Sequence, residues 1–179
     1  MHVPTGILPA IRKLKDFDRA LETSYPTIVI LETRLSQIKN LVTYSKRANK
    51  NILVHFDLIQ GLKSDDYGME YVLREIKPNG ILSTRANVIK MAKKHGMLAI
   101  QRVFLLDSLA LEQNIKLIKS VRPHCIEVLP GIIPTMIQYL SEETGLPVIA
   151  GGLIKTDDQV QQALEAGAFG VSTSNTDLW

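Results

Sequence analysis

Short β-branched and apolar runs alternate with amphipathic helical stretches from one end of this chain to the other, and no other feature restricts its fold as strongly. Parallel strands joined by helical crossovers read this way, because the strands are covered by helices and each return path needs a crossover long enough to be one. The runs are Ile7 to Ile11, Thr27 to Glu32, Asn51 to Leu58, Gly80 to Thr84, Leu98 to Leu105, Cys125 to Pro130, Pro147 to Gly151 and Gly170 to Ser174. Between them, apolar residues recur three or four apart: Leu14, Phe17 and Leu21; Leu35, Ile38 and Val42; Met69, Val72, Leu73 and Ile76. Each set gives a helix one stripe to lay on a sheet. Gly96, Gly145 and Gly167 fall where a left-handed residue should end a helix, and Thr156 with Gln159 reads as a capping box.

Eight such units with right-handed crossovers can close a barrel, although a doubly wound open sheet uses the same alternation. The unit count and the chemistry of the last two strand ends favour closure. The expectation is therefore an α/β fold, a single compact (β/α)8 TIM-type barrel over residues 1–179, with its ligand site at the carboxyl ends of the strands. At 179 residues the chain is short for a fold that usually starts at about 200, so its loops and helices must be trimmed. After the last run only Thr176 to Trp179 remain, and the eighth helix should be absent or one turn long. Trp179 should close the bottom of that gap or pack on a neighbouring subunit, packing within the chain being the simpler expectation.

Composition excludes several classes. With 45% hydrophobic and 22% charged residues the chain is neither disordered nor a coiled coil. No apolar run reaches the roughly 18 residues of a membrane span, and Met1-His2-Val3-Pro4 does not begin like a signal peptide, so a cytoplasmic location is expected. Cys125 is the only cysteine, which rules out an internal disulfide and suits a packing role.

The last two strand ends carry the most specific chemistry. Gly151-Gly152-Leu153 follows one apolar strand, and one helix later Ser172-Thr173-Ser174 ends the next. Glycines let backbone N–H groups approach an anion, hydroxyls add donors, and the loops after strands seven and eight of such a barrel are a common phosphate site. Alternation in the third strand places Leu53, His55 and Asp57 towards the lumen, because Ile52, Val54, Phe56 and Leu58 are all apolar and should face helices. Glu32, taken in line with Ile28 and Ile30, and Glu127, in line with Cys125, would bring further carboxylates to the same mouth. They can bind hydroxyl groups, pair with Arg12, Arg85 or Arg102, or hold Mg²⁺. No Asp-x-Asp or Glu-x-x-His spacing involves these three carboxylates, which favours the first two roles, and no metal site or catalytic residue is assigned. His55 lies behind Asp57 and is a candidate to orient it. Gln101 and Arg102 are adjacent, so one faces the lumen and the other the helices, and the sequence does not say which.

The net charge of +3 and pI near 9.0 suit an anionic partner without requiring one. Lys39, Lys46, Arg47 and Lys50, then Lys90, Lys93 and Lys94, then Lys116, Lys119 and Arg122 read as solvated helix faces, with few aromatics interleaved for base stacking.

Seven segments in order are Ile7-Leu8-Pro9-Ala10-Ile11, His55 to Gly61, Gly80 to Arg85, Gln101-Arg102-Val103-Phe104-Leu105-Leu106-Asp107-Ser108, Glu127-Val128-Leu129-Pro130-Gly131, Ala150 to Ile154, and Ser172-Thr173-Ser174 with a closing Leu178-Trp179. Together they resemble the glycerol-3-phosphate-responsive antiterminator family, which regulates glycerol uptake operons in Gram-positive bacteria. Phe56, where an aliphatic residue is usual, is a minor departure on the outward face. The resemblance implies a barrel that needs no cofactor, takes glycerol 3-phosphate as effector and acts on a leader mRNA to prevent termination. A homo-oligomer without membrane attachment is compatible with this expectation. Gly151, Gly152, Leu153, Ser172, Thr173 and Ser174 would hold the phosphate. Asp57 and Glu127 would meet the glycerol hydroxyls, with His55, Glu32, Arg12, Arg85 and Arg102 as further polar groups at the mouth. The competing expectation is a Mg²⁺-dependent barrel enzyme acting on a glycerol phosphate, of phosphodiesterase or prenyltransferase type.

Overall fold

A closed ring of parallel strands is what the alternation builds. The computed structural model describes residues 2–179 and contains, in chain order, β1 (Gly6–Ile11), α1 (Phe17–Glu22), β2 (Thr27–Ile30), β3 (Thr33–Arg34), α2 (Leu35–Arg47), β4 (Asn51–His55), β5 (Ile59–Gln60), α3 (Asp66–Tyr71), β6 (Gly80–Ser83), α4 (Ala86–Lys94), β7 (Leu98–Phe104), α5 (Ser108–Val121), β8 (Cys125–Leu129), α6 (Pro134–Thr144), β9 (Val148–Gly151), α7 (Asp157–Glu165) and β10 (Gly170–Thr173). The barrel order is β1-β10-β9-β8-β7-β6-β4-β2, and the short β3 and β5 form a separate parallel pair. Closure is made by β1 against β10, with Leu8 opposite Ser172 and Pro9 opposite Thr173.

Two apolar layers hold this ring. Leu8, Ala10, Val29, Leu31, Leu53, Leu82, Leu98, Ile100, Cys125 and Ile149 fill the lumen, and larger clusters lie between the strands and the helices. Burial pushes the Cys125 thiol far above its ordinary range, as expected of a packing cysteine. Helix ends follow the punctuation. The Asp65 side chain accepts from the Gly68 N–H, Asp107 from Ala110 and Thr156 from Gln159, while Gly96, Gly145 and Gly167 have φ of 71°, 66° and 92°.

Four departures from the sequence reading bear on the site. In the second strand Val29 and Leu31 face the lumen, whereas Ile28 and Ile30 join the outer core. Glu32 therefore does not continue the lumen-facing row. Every residue from Ile28 to Leu31 is apolar, so the strand carries no phase of its own, and pairing of the lumen residue Ala10 with Val29 sets it. β4 stops at His55, and Phe56–Leu58 is a 3-10 turn. Asp57 thus sits on a turn, not on a strand. α3 passes into a π-helical turn over Val72–Ile76 and ends at a left-handed Lys77. The eighth helix is a 3-10 turn, Thr176–Leu178, and Trp179 packs against the outer core beside the carboxyl end of β10, donating its indole N–H to the Thr173 carbonyl at 2.9 Å. Arg19 of α1 reaches the Thr176 carbonyl at 2.7 Å, so this turn is held against the first helix, not below the barrel.

Candidate functional site

The carboxyl end of the lumen is floored by one buried ion pair. Glu127 is fully buried, and its two oxygens accept from Arg102 Nε and from Ser172 Oγ, each at 2.5 Å. Arg102 is thus the member of the Gln101–Arg102 pair that faces the lumen. Gln101 points outward and donates to the carbonyls of Ser83, Thr84 and Arg102. Gly151 has a role other than the one expected. A β-carbon there would lie 2.6 Å from Ser172 Oγ and 3.0 Å from Glu127 Oε1, so its missing side chain makes room for the Ser172–Glu127 bond.

Above this floor the loops after β9 and β10 are stitched together. Thr173 Oγ1 donates to the Ile154 carbonyl at 3.2 Å and accepts from the Asn175 N–H, and Asn175 Nδ2 donates to the Lys155 carbonyl. The Thr173 hydroxyl is occupied by this structural task, as that of Ser172 is by Glu127. Ser174 is the exposed hydroxyl of the three. Gly152 and Leu153 are both left-handed, with φ of 76° and 62°, and the backbone N–H groups of Gly152, Leu153 and Ser174 donate to no backbone acceptor among the described residues beyond the strand ladders. Consecutive left-handed residues turn successive N–H groups towards one side, an arrangement suited to an anion.

A narrow cleft of about 80 Å³ opens at this point, lined by Ala10, Arg12, Leu31, Arg102, Gly152, Leu153, Ser172 and Ser174 among others. It shares Arg12, Gly152, Leu153 and Ser174 with a wider cleft of about 750 Å³, walled by Phe104, Leu105, Leu106, Leu129 and Pro130 and carrying Lys155 and Asn175. This apolar wall and Lys155 were not assigned to the site from sequence. The only signal was that Phe104-Leu105-Leu106 remains apolar up to and past the end of its strand, where Phe104 is 45% and Leu106 81% exposed.

The other mouth residues lie apart from the clefts. Asp57 accepts from Ser83 Oγ (2.7 Å), the Thr84 N–H (2.8 Å) and Thr84 Oγ1 (3.0 Å), with Arg85 Nε 3.9 Å away. Ser83 and Thr84, not His55, orient it. Glu32 is half exposed and 3.9 Å from Arg12 Nε. Asp57, Arg85 and Glu32 line neither cleft. Each of the three carboxylates faces an arginine, the ion-pairing outcome, and their convergence on one point is not found. His55 is buried in the lumen with Nδ1 unpartnered, and burial together with the nearby Arg102 pushes its pKa down to about 4. It is neutral at pH 7. No group of three or more His, Cys, Asp or Glu side chains placed to hold a metal occurs among the described residues.

Comparison with known proteins turns on the whole barrel. Residues 7–179 match the family described as "Glycerol-3-phosphate responsive antiterminator". The chain belongs to that family. It is 47% identical to the solved glycerol uptake operon antiterminator regulatory protein of Listeria monocytogenes, covering 100% of this chain and 98% of that one with a TM-score of 0.96. A glycerol uptake operon antiterminator-related protein from Thermotoga maritima is 26% identical over 99% of both chains, with a TM-score of 0.88. YgcP of Escherichia coli is 30% identical over 97% of this chain and 91% of its own length. This family member is a closed barrel of eight parallel strands whose last two strands end in glycine and in hydroxyl residues. No helix among its described residues is long and apolar enough to cross a membrane.

Proposed function

We propose that this antiterminator-family protein binds glycerol 3-phosphate at the mouth of the barrel and, when loaded, acts on the leader RNA of glycerol-use genes in the cytoplasm to prevent premature termination. The phosphate lies against the N–H groups of Gly152, Leu153 and Ser174 and the Ser174 hydroxyl, with Arg12 and Lys155 supplying positive charge from the rim. The glycerol hydroxyls face the floor made by Arg102, Glu127 and Ser172, and the Phe104–Leu106 wall shields them from water. Gly151 and Thr173 shape the cup, and Asp57, Arg85 and Glu32 order the surrounding loops.

One observation carries this reading: N–H groups with no backbone partner outside the strand ladders among the described residues, on two adjacent loops, border a cleft that also holds arginine and lysine. Such donors bind a phosphate group without themselves supplying a nucleophile or a general acid. The mouth carboxylates, engaged by arginines and hydroxyls, are the reason we place an effector and not a reaction here.

Ligand-induced stabilisation tests it. Glycerol 3-phosphate at a hundredfold excess over its Kd should raise Tm by on the order of 5–10 °C. Glycerol should leave Tm unchanged, and Gly152→Asp should abolish the response. No shift in the unaltered protein would end the effector assignment. Mg²⁺-dependent turnover of a glycerol phosphodiester, lost in Asp57→Asn, would establish the enzyme in its place.

A further inference from the structure

The net charge of +3 hides an uneven distribution of cations over the barrel. Around the mouth the two signs are interspersed, with Asp65, Asp66, Asp107, Asp157 and Asp158 at helix starts and Arg12, Arg34, Arg85 and Lys155 among the loops. At the opposite, amino-terminal end of the strands, four successive crossovers finish in cations. α2 ends in Lys46 and Arg47, and the π-helical turn after α3 brings Arg74 and Lys77. α4 ends in Lys93 and Lys94, and the α5 end adds Lys119 and Arg122. The acids beside these ends are paired, Glu75 with Lys39 at 2.7 Å, Glu70 with Arg74 at 3.0 Å and Glu143 of α6 with Lys119 at 3.3 Å, while Lys46, Arg47, Lys77, Lys93, Lys94 and Arg122 have no ion pair among the described residues.

These ends adjoin one another. Lys46 Nζ donates to the Lys77 carbonyl at 2.5 Å, and Lys93 Nζ donates to the carbonyls of Val121 and Arg122. At helix spacings of about 8–10 Å, the four ends describe an arc on the order of 25–30 Å long, matching several nucleotides of a phosphate backbone.

A helix dipole favours a cation at any helix C-terminus, so part of this charge has a local explanation. That explanation covers every helix of the barrel equally. Yet α1 ends in Glu22, α6 in Glu142 and Glu143, and α7 in Glu165. The basic arc is therefore restricted to one side of the face in a way the dipoles do not require. Beside it Tyr44 is 53% exposed, with the Arg47 guanidinium 5.9 Å from its ring centroid, and His95 and His124 lie in the same loops. Unstacked bases can stack on such aromatic and guanidinium planes.

We infer that the leader RNA docks on this arc, at the amino-terminal face of the barrel between the ends of α2 and α5, and not at the effector mouth. This rests on the RNA reading above and adds a location to it. Effector and RNA then occupy opposite ends of the barrel, and the effector makes no contact with RNA. Phosphate contacts from Lys and Arg supply the salt-dependent affinity.

The test titrates leader RNA against the glycerol-3-phosphate-loaded protein over a range of salt. Lys77→Gln with Lys94→Gln removes two exposed arc cations whose side chains form no hydrogen bond or ion pair among the described residues. Arg34→Gln with Lys63→Gln removes two exposed cations from the mouth side. The arc pair should weaken binding about tenfold and reduce the magnitude of the log–log salt slope by about 1.4, at roughly 0.7 per lost phosphate contact. The mouth pair should bind within about twofold of the unaltered protein. Both pairs should keep the effector-induced rise in Tm, which shows that they fold and still hold ligand. If the unaltered protein binds and the arc pair binds equally well, or if the mouth pair is the one that fails, the location is wrong and RNA binding stands. If the loaded, unaltered protein prefers leader RNA no more than unrelated RNA of equal length, the RNA reading falls and the location falls with it.

Discussion

His55 and the Arg102–Glu127 pair show what single buried groups do in this barrel. The imidazole has a folded-state pKa of about 4 against an ordinary value near 6.5, mainly because burial disfavours its cation. The unfolded chain therefore binds the proton more readily between those values. Stability from this group is complete above about pH 6.5 and is lost as pH falls towards 4, a change on the order of 3 kcal/mol. Denaturant titrations at pH 7 and pH 4.5 should show this loss, and His55→Gln should flatten it. In the floor of the site, Arg102→Met strands a fully buried carboxylate. It should cost about 3–5 kcal/mol by urea denaturation, whereas Arg102→Met with Glu127→Leu should cost far less. Gly151→Ala drives a methyl group onto Ser172 Oγ, and it should lower effector affinity as well as stability, measured by calorimetric titration. Identity and strand phase revealed His55 and Glu127 as inward-facing. The partner each would take was not legible, because Ser172 lies 45 residues from Glu127 and chooses it only through barrel closure.

At the scale of elements, caps and glycine stops were readable because they are local: a side chain two or three residues away satisfies a helix end wherever the rest of the chain goes. Strand phase was readable only where polar residues mark one face. β4 shows its phase through His55, while β2 is apolar from Ile28 to Ile30, so its sequence does not mark the lumen-facing row and Glu32 falls off it. Asp57, on the turn after β4, accepts three hydrogen bonds from Ser83 and Thr84 at the end of β6, partners that its own segment does not reveal. The loop after β9 holds Leu153 at φ 62°, a conformation that costs a non-glycine residue roughly 1 kcal/mol. Leu153→Gly should leave unfolding stability unchanged or raise it by up to about 1 kcal/mol, as the side chain is 61% exposed. Leu153→Pro should lose the effector response, because it removes one of the N–H groups assigned to the phosphate.

Taken whole, the molecule has two ends with different work. The mouth gathers donors from strands distant in sequence, and the opposite face gathers the ends of four consecutive crossovers. Because the two ends share no residue, Gly152→Asp should abolish the effector-induced Tm shift while leaving the salt slope of residual RNA binding unchanged; a shared site would alter both. The sequence by itself determined the fold class, the strands as short runs, the helix stops and the glycine-hydroxyl character of the last two strand ends. These follow from periodicity and local backbone preference, which act over a few residues. Tertiary structure alone decided that Arg102 enters the lumen and Gln101 does not, that the Ser172 and Thr173 hydroxyls are spent on Glu127 and Ile154, and that the scattered lysines form one arc. Each of those outcomes depends on which residues closure brings together, and closure pairs β1 with β10 across nearly the whole length of the chain.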